Sequence, residues 1–227
     1  WVSGAMISFL RSEPPTMNEN VASTARDRII DAFRGPGIDP PSLDDGDTAY
    51  GWVSQIDNVT PDRITPAAVL IPIVERPAGL TVLLTQRTAH LRSHAGQISF
   101  PGGKTEPQDL TAEDTALRES EEEIGLLREH VEIVGRLGKR TTGTGYHVTP
   151  VVGLVRPSIQ LVLDPSEVES IFEVPLAYVL DPDNHKIETR LMKGLEREFY
   201  VMPYNDHYIW GLTARLLVAL RNTLGNP

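Results

Sequence analysis

The segment Ala116-Leu117-Arg118-Glu119-Ser120-Glu121-Glu122-Glu123-Ile124-Gly125 constrains this chain more than any other. Its apolar residues recur at helical spacing. At about 100° per residue, Ala116, Leu117, Ser120 and Ile124 form one inward stripe. Glu119 and Glu123 are then one turn apart, with Glu122 three residues beyond Glu119. Three carboxylates converge on one patch, while Glu121 points elsewhere. Each like-charge pair on a helix costs roughly 0.2–0.5 kcal/mol even in water, and more when partly buried. Such a patch calls for a positive group. Carboxylate oxygens with no Cys or His nearby suit a hard cation, Mg²⁺ or Mn²⁺.

A bare run of glutamates is ordinarily a solvated face. What precedes this one changes the reading. Phe100-Pro101-Gly102-Gly103 puts two glycines shortly upstream. Their backbone can approach a ligand closely. Their carbonyls can bind a metal, and their N–H groups can meet a phosphate.

The rest of the chain supplies a frame of mixed strands and a few helices, which makes an α+β chain or an α/β/α sandwich with a mixed sheet. Residues 1–62 read as an N-terminal extension and residues 63–227 as the main domain. Within the extension, residues 1–20 read as mobile, Ser23 to Arg34 as a short helix N-capped by Ser23, and Gly35 to Asp62 as a linker. Trp1 to Thr16 lacks the layout of a signal peptide. The spacing predicts a hairpin from Ala67–Val74 and Leu80–Thr85, then a long ordered loop or irregular strand from Thr88 to Gly103. It predicts a helix over Thr111–Ile124 and strands over Val131–Leu137 and Val148–Val155. Short helices follow at Pro165–Glu173 and Pro175–Leu180. A second hairpin, Ile187–Met192 with Glu198–Pro203, turns at Lys193-Gly194. A C-terminal helix runs from Ile209 to Leu224, with Arg215 and Arg221 facing out.

The formal net charge is −10, which argues against a general nucleic-acid surface. A small phosphorylated substrate is still compatible with it, because a few arginines and a cation can reverse the local field. The chain has no cysteine, so disulfides, thiolate metal sites and cysteine nucleophiles are absent. That fits a reducing, cytoplasmic compartment. No apolar run reaches the roughly 18–20 residues needed to span a bilayer as a helix.

Gly103 to Leu126 resembles the Nudix box, G-x5-E-x7-R-E-U-x-E-E-x-G-U, where U is a bulky aliphatic residue. The matches are Gly103, Arg118, Glu119, Glu122, Glu123, Gly125 and Leu126. The usual first glutamate is Asp109 here, one extra residue separates it from Arg118, and Ser120 takes a U position. The resemblance implies the Nudix fold, with a loop–helix–loop holding divalent metal against a diphosphate. Glu119, Glu122 and Glu123 are then metal ligands, Glu119 or Glu122 is the base, and Arg118 orients a carboxylate by a bidentate pair. Glu167 or Glu169, from a distant loop, is an alternative base.

Leu83 to Gly103 resembles the signature of the coenzyme A pyrophosphatase subgroup, L-L-T-x-R-[ST]-x-x-x-R-x-x-x-G-x-x-x-F-P-G-G. It implies hydrolysis of coenzyme A or its derivatives to adenosine 3′,5′-bisphosphate and 4′-phosphopantetheine. Arg87, Arg92, Gly96, Phe100, Gly102 and Gly103 become substrate-binding candidates, with His90 and His94 behind them. Guanidinium forks match phosphate oxygens. Other Nudix substrates, such as ADP-ribose, a dinucleoside polyphosphate or an oxidised nucleoside triphosphate, would use the same helix. So would a non-catalytic nucleotide-binding regulator. The resemblance is compatible with a homodimer.

Overall fold

The computed structural model describes residues 19–34, 64–90, 95–142, 144–192 and 195–225. The expectations for residues 1–18, for the linker to residue 62 and for the turn at Lys193-Gly194 lie outside the described residues.

The frame is an eight-stranded mixed sheet. Its strands are β1 (Thr65–Arg76), β2 (Gly79–Arg87), β3 (Ile98–Ser99), β4 (Gly102–Lys104), β5 (Val131–Arg136), β6 (Arg140–Thr141), β7 (Tyr146–Val155) and β8 (Val168–Pro175). β1 and β7 lie side by side in parallel from Thr65↔Tyr146 to Val74↔Val155. Both are apolar on both faces, as strands covered from two sides must be. β1 turns into β2 through the expected hairpin, with Arg76 opposite Gly79. The far end of β1 pairs instead with β4, and this puts Gly103 opposite Ala68.

Alternation along the strands divides the core in two. Ala68, Leu70, Val74, Leu83, Val151 and Val155 face one way, onto Ala116 and Ile124 of α2 (Ala112–Ile124). Ile71, Ile73, Val82, Leu84, Val152 and Leu154 face the other way. They pack on Ile29 of α1 (Glu19–Phe33), Val179 of α3 (Leu176–Leu180) and Leu217 and Leu220 of α4 (Gly211–Leu224). The helix of the N-terminal segment is therefore docked on the sheet. Arg26 ties it down through ion pairs to Glu75 and Glu132. No helix of the described residues is long and apolar enough to cross a membrane.

Four local expectations are corrected. α1 starts at Glu19, a turn before Ser23, so Ser23 lies inside the helix and is not its cap. Pro165–Glu173 is not helical. Asp164 accepts hydrogen bonds from the backbone N–H and hydroxyl of Ser166, which nucleates a turn. The chain then enters β8, paired with β2 from Arg87 to Thr81, and long-range pairing overrides local propensity. Ile209 and Trp210 belong to a strand, β11 (His207–Trp210), rather than to the C-terminal helix. With β9 (Lys186–Met192) and β10 (Leu195–Tyr204) it forms a second, three-stranded sheet. Arg215 and Arg221 are partly buried, not outward-facing.

Candidate active site

α2 owes its position to its two ends. Thr111 and Asp114 form a reciprocal capping box at the start, and Gly125 closes the helix in the left-handed conformation at φ 67°. A Cβ on Gly125 would also crowd the backbone of Val162. Close approach matters there, because the 162–164 segment seals the helix end. Val162 N–H donates to Ile124 O at 3.0 Å, and Asp164 N–H donates to Glu123 O at 2.9 Å. Ser120 occupies its bulky-residue position fully buried, and its hydroxyl donates to Ala116 O at 2.6 Å. The small polar side chain is thus satisfied within the helix.

With α2 fixed, its carboxylates meet β4 and the end of β2. Glu123 is 4% exposed. Arg87 Nη1 donates to its Oε1 at 3.2 Å, and Gly102 N–H donates to its Oε2 at 3.2 Å. Burial nevertheless pushes its pKa up to about 7, and the neighbouring Glu167 and Glu119 charges push the same way. Glu119 lies over Gly103, where a Cβ would stand 2.5 Å from its carboxyl carbon. Burial raises its pKa too; Arg118 opposes this, while Glu122 and Glu167 add to it. Glu122 is mostly exposed.

Arg118 anchors the outer side. It donates to both oxygens of Asp109 at 3.1 and 2.9 Å, to Glu119 and Glu122 at 2.9 Å each, and to Lys104 O at 2.9 Å. The bidentate partner is therefore Asp109, whose pKa is pulled down to about 2, chiefly by Arg118. Asp109 is one methylene shorter than the glutamate the pattern expects, and the extra residue before Arg118 accompanies that shortening. The signal for it in the sequence was an acid standing near the expected place.

Glu167 is brought in from the turn before β8. Its Oε2 is 3.5 Å from Arg87 Nη2, and its carbonyl accepts from Thr88 N–H at 3.0 Å. Glu169 is exposed on β8. Gly102 and Gly103 line the cluster. Phe100 does not: it is buried in the apolar core on the α4 face. Gly96 sits exposed in a turn that closes on Thr88 O, and His90 is exposed. Arg92 and His94 lie outside the described residues.

The site thus gathers Asp109, Glu119, Glu122, Glu123 and Glu167 around Arg87 and Arg118. Five carboxylates against two guanidiniums leave a marked negative excess. An all-oxygen, anionic donor set fits a hard divalent cation, and the raised Glu119 and Glu123 are groups that such a charge would relieve. Among the described residues no three acidic or imidazole groups stand together as a ready-made metal cage; in this conformation the arginines hold the carboxylates.

A model of the NUDIX domain matches residues 64–195. A Photorhabdus laumondii protein described as uncharacterized Nudix hydrolase NudL is 44% identical over 156 residues, covering 69% of this chain and 83% of its own length. A Yersinia pestis protein of the same description is 44% identical over 151 residues, covering 66% of this chain and 75% of its own. Among solved structures, the NUDIX domain of Shewanella oneidensis NrtR complexed with ADP ribose overlaps 54% of this chain and 82% of its own. Its TM-score is 0.41 and its identity 23%.

Proposed function

The chain belongs to the Nudix family of hydrolases, enzymes that cut phosphoanhydride bonds in nucleoside diphosphate derivatives, and from that premise we propose that its substrate is coenzyme A or a coenzyme A derivative. The observation that carries the reading is Arg87. This arginine of the Leu83–Gly103 signature reaches both Glu123 and Glu167. The stretch that distinguishes the coenzyme A subgroup therefore leads directly into the acidic cluster.

In this reading Glu119, Glu122 and Glu123 hold Mg²⁺ or Mn²⁺. Such a cation, when bound there, would offset charge on the diphosphate and make water more acidic. Arg118, locked on Asp109, positions Glu119 and Glu122. Arg87 exchanges a carboxylate partner for a phosphate oxygen, a geometry its fork accepts equally well. Glu119 or Glu122 takes the proton of the attacking water. Glu167 reaches the cluster from another element and is the third candidate. Water adds across one P–O bond, giving adenosine 3′,5′-bisphosphate and 4′-phosphopantetheine.

The test is product analysis with coenzyme A, acyl derivatives, ADP-ribose, a dinucleoside polyphosphate and an oxidised nucleoside triphosphate, each with Mg²⁺ and Mn²⁺. Coenzyme A or a derivative should lead in kcat/KM by about tenfold or more, the quantity in which substrates are discriminated. Faster turnover of ADP-ribose overturns the substrate assignment and leaves the family standing.

A further inference from the structure

The three-stranded sheet runs β11-β10-β9, so the outer edge of β9 pairs with no strand among the described residues. The strand reads Lys186-Ile187-Glu188-Thr189-Arg190-Leu191-Met192. It has no proline, and Ile187 and Leu191 stand 47% and 73% exposed. An open edge of this kind is a template for pairing, and proteins usually blunt it with proline, bulges or repelling charge. The charges here have both signs. Glu188 and Arg190 share one face and are bridged by Tyr208, whose hydroxyl accepts from Arg190 and donates to Glu188 at 2.7 Å each. The Arg190 guanidinium also lies 5.1, 5.4 and 5.7 Å from the ring centres of Phe199, Tyr208 and Trp210.

We propose that this edge joins two copies of the chain, β9 to β9, antiparallel about a two-fold axis at Thr189. A two-fold axis perpendicular to the sheet places residues of equal parity opposite one another on one face. Centred on Thr189, that register sets Glu188 against the partner's Arg190, and the reverse, on one face. On the other face it sets Ile187 against the partner's Leu191, twice, on either side of Thr189 against the partner's Thr189. Opposite-charge and Thr–Thr pairs are favourable cross-strand combinations, and the aliphatic pairs cover surface otherwise left in water. Moving the axis to residue 188 sets Lys186 against the partner's Arg190. Moving it to residue 190 sets Glu188 against Met192. Neither pairs the charges or the apolar side chains. The edge is complementary to itself, which is why the occupant is a second copy, and the product is one continuous six-stranded sheet.

Sedimentation velocity on the full chain, over a micromolar concentration series, tests this. The wild type should be a dimer. Arg190→Glu and Glu188→Arg should each weaken it about tenfold or more, since two repulsive contacts replace two attractive ones. The double variant Glu188→Arg/Arg190→Glu should recover association. Leu191→Lys, at a largely exposed site, should dissociate the dimer with an unchanged circular dichroism spectrum, which guards against an effect of Arg190 on the sheet itself. A wild type that stays monomeric, a dimer indifferent to Leu191→Lys and to both single reversals, or a double variant no tighter than the singles overturns the proposal.

Discussion

The two faces of the eight-stranded sheet are built on opposite terms. Among the described residues, twenty buried hydrophobic residues cluster on the α4 side and ten on the α2 side. The α4 face is mostly apolar, with buried Thr213 satisfied by Ile98 O, and it stabilises chiefly by area removed from water, at about 25 cal/mol per Å². The α2 face gives up part of its core to ionisable groups: Glu123 and Asp109 have side chains 4% and 3% exposed, and Arg118 17%. Asp109 pairs with Arg118, and Glu123 is held by Arg87 and Gly102 N–H, so removing one group strands its partner. The difference separates two kinds of residue. Changes on the α4 face should appear in stability, and changes on the α2 face in catalysis.

The largest expected effect is catalytic. Glu119→Gln and Glu123→Gln each keep shape and remove charge. Each should lower kcat/KM by about 10²–10⁴-fold, the usual weight of a group that handles charge or protons at a reacting centre. Steady-state kinetics at saturating Mg²⁺ measures it. Near-normal turnover in both variants would remove the glutamates from the chemistry and favour a nucleotide-binding regulator. The matching break on the other face is Leu217→Ala. Leu217 is fully buried in the α4 core, so the variant should lose roughly 2–5 kcal/mol in urea unfolding. Its kcat per folded molecule should stay near wild type.

The two faces also differed in how much the sequence disclosed. The acidic helix could be placed residue by residue, since Ala116, Leu117, Ser120 and Ile124 do face inward, with Glu119 and Glu122 held on Arg118 and Glu123 on Arg87. A 3.6-residue period is local information. Arg87 could be flagged by pattern, but its reach to Glu123 and Glu167 depends on strand pairing across 80 residues, which no local period carries. Phe100 belonged to the same signature as Gly102, yet its ring packs in the α4-side core, because the chain changes direction between β3 and β4 and a shared motif does not fix a shared face. The α4 side was harder to read. β8 looked helical until its pairing with β2 is known, and Trp210 sits at helical spacing from Leu217 but pairs with Val201 in β11. Apolar runs there say only that a segment is buried.

A smaller effect concerns pH in metal-free protein. The Glu123 pKa is raised from 4.5 to about 7 by burial. Below pH 4.5 the group is protonated both folded and unfolded and contributes nothing to the pH dependence. Between pH 4.5 and 7 the folded state holds a proton that the unfolded state has released, so stability falls as pH rises. Above pH 7 the loss is complete, on the order of 3 kcal/mol at 1.36 kcal/mol per pKa unit. Urea midpoints in EDTA at pH 5 and pH 8 should show this drop, Glu123→Gln should flatten it, and added Mg²⁺ should reverse it at pH 8. A wild-type midpoint unchanged between the two pH values would mean that the α2 face carries its charges without penalty.

The smallest effect on stability, and the sharpest on the site, is expected at Gly103. The three atoms nearest to a Cβ there all belong to the carboxylate of Glu119, 2.5–2.6 Å away. That carboxylate ends a flexible side chain and can swing aside. Stability should therefore change by less than about 1 kcal/mol, helped by the lower unfolded-state entropy of alanine. Glu119 would leave its place against Arg118, and activity should fall with it. Gly102→Ala, one residue earlier, is the control. Its Cβ would stand 2.4 Å from Ala68 O and 2.6 Å from Val69 Cα, at a φ of +152°. None of these can yield, so this variant should unfold early. If Gly103→Ala also melts early, or leaves turnover intact, then Glu119 is not held where its chemistry requires it, and the contrast between frame and site fails at its closest pair of residues.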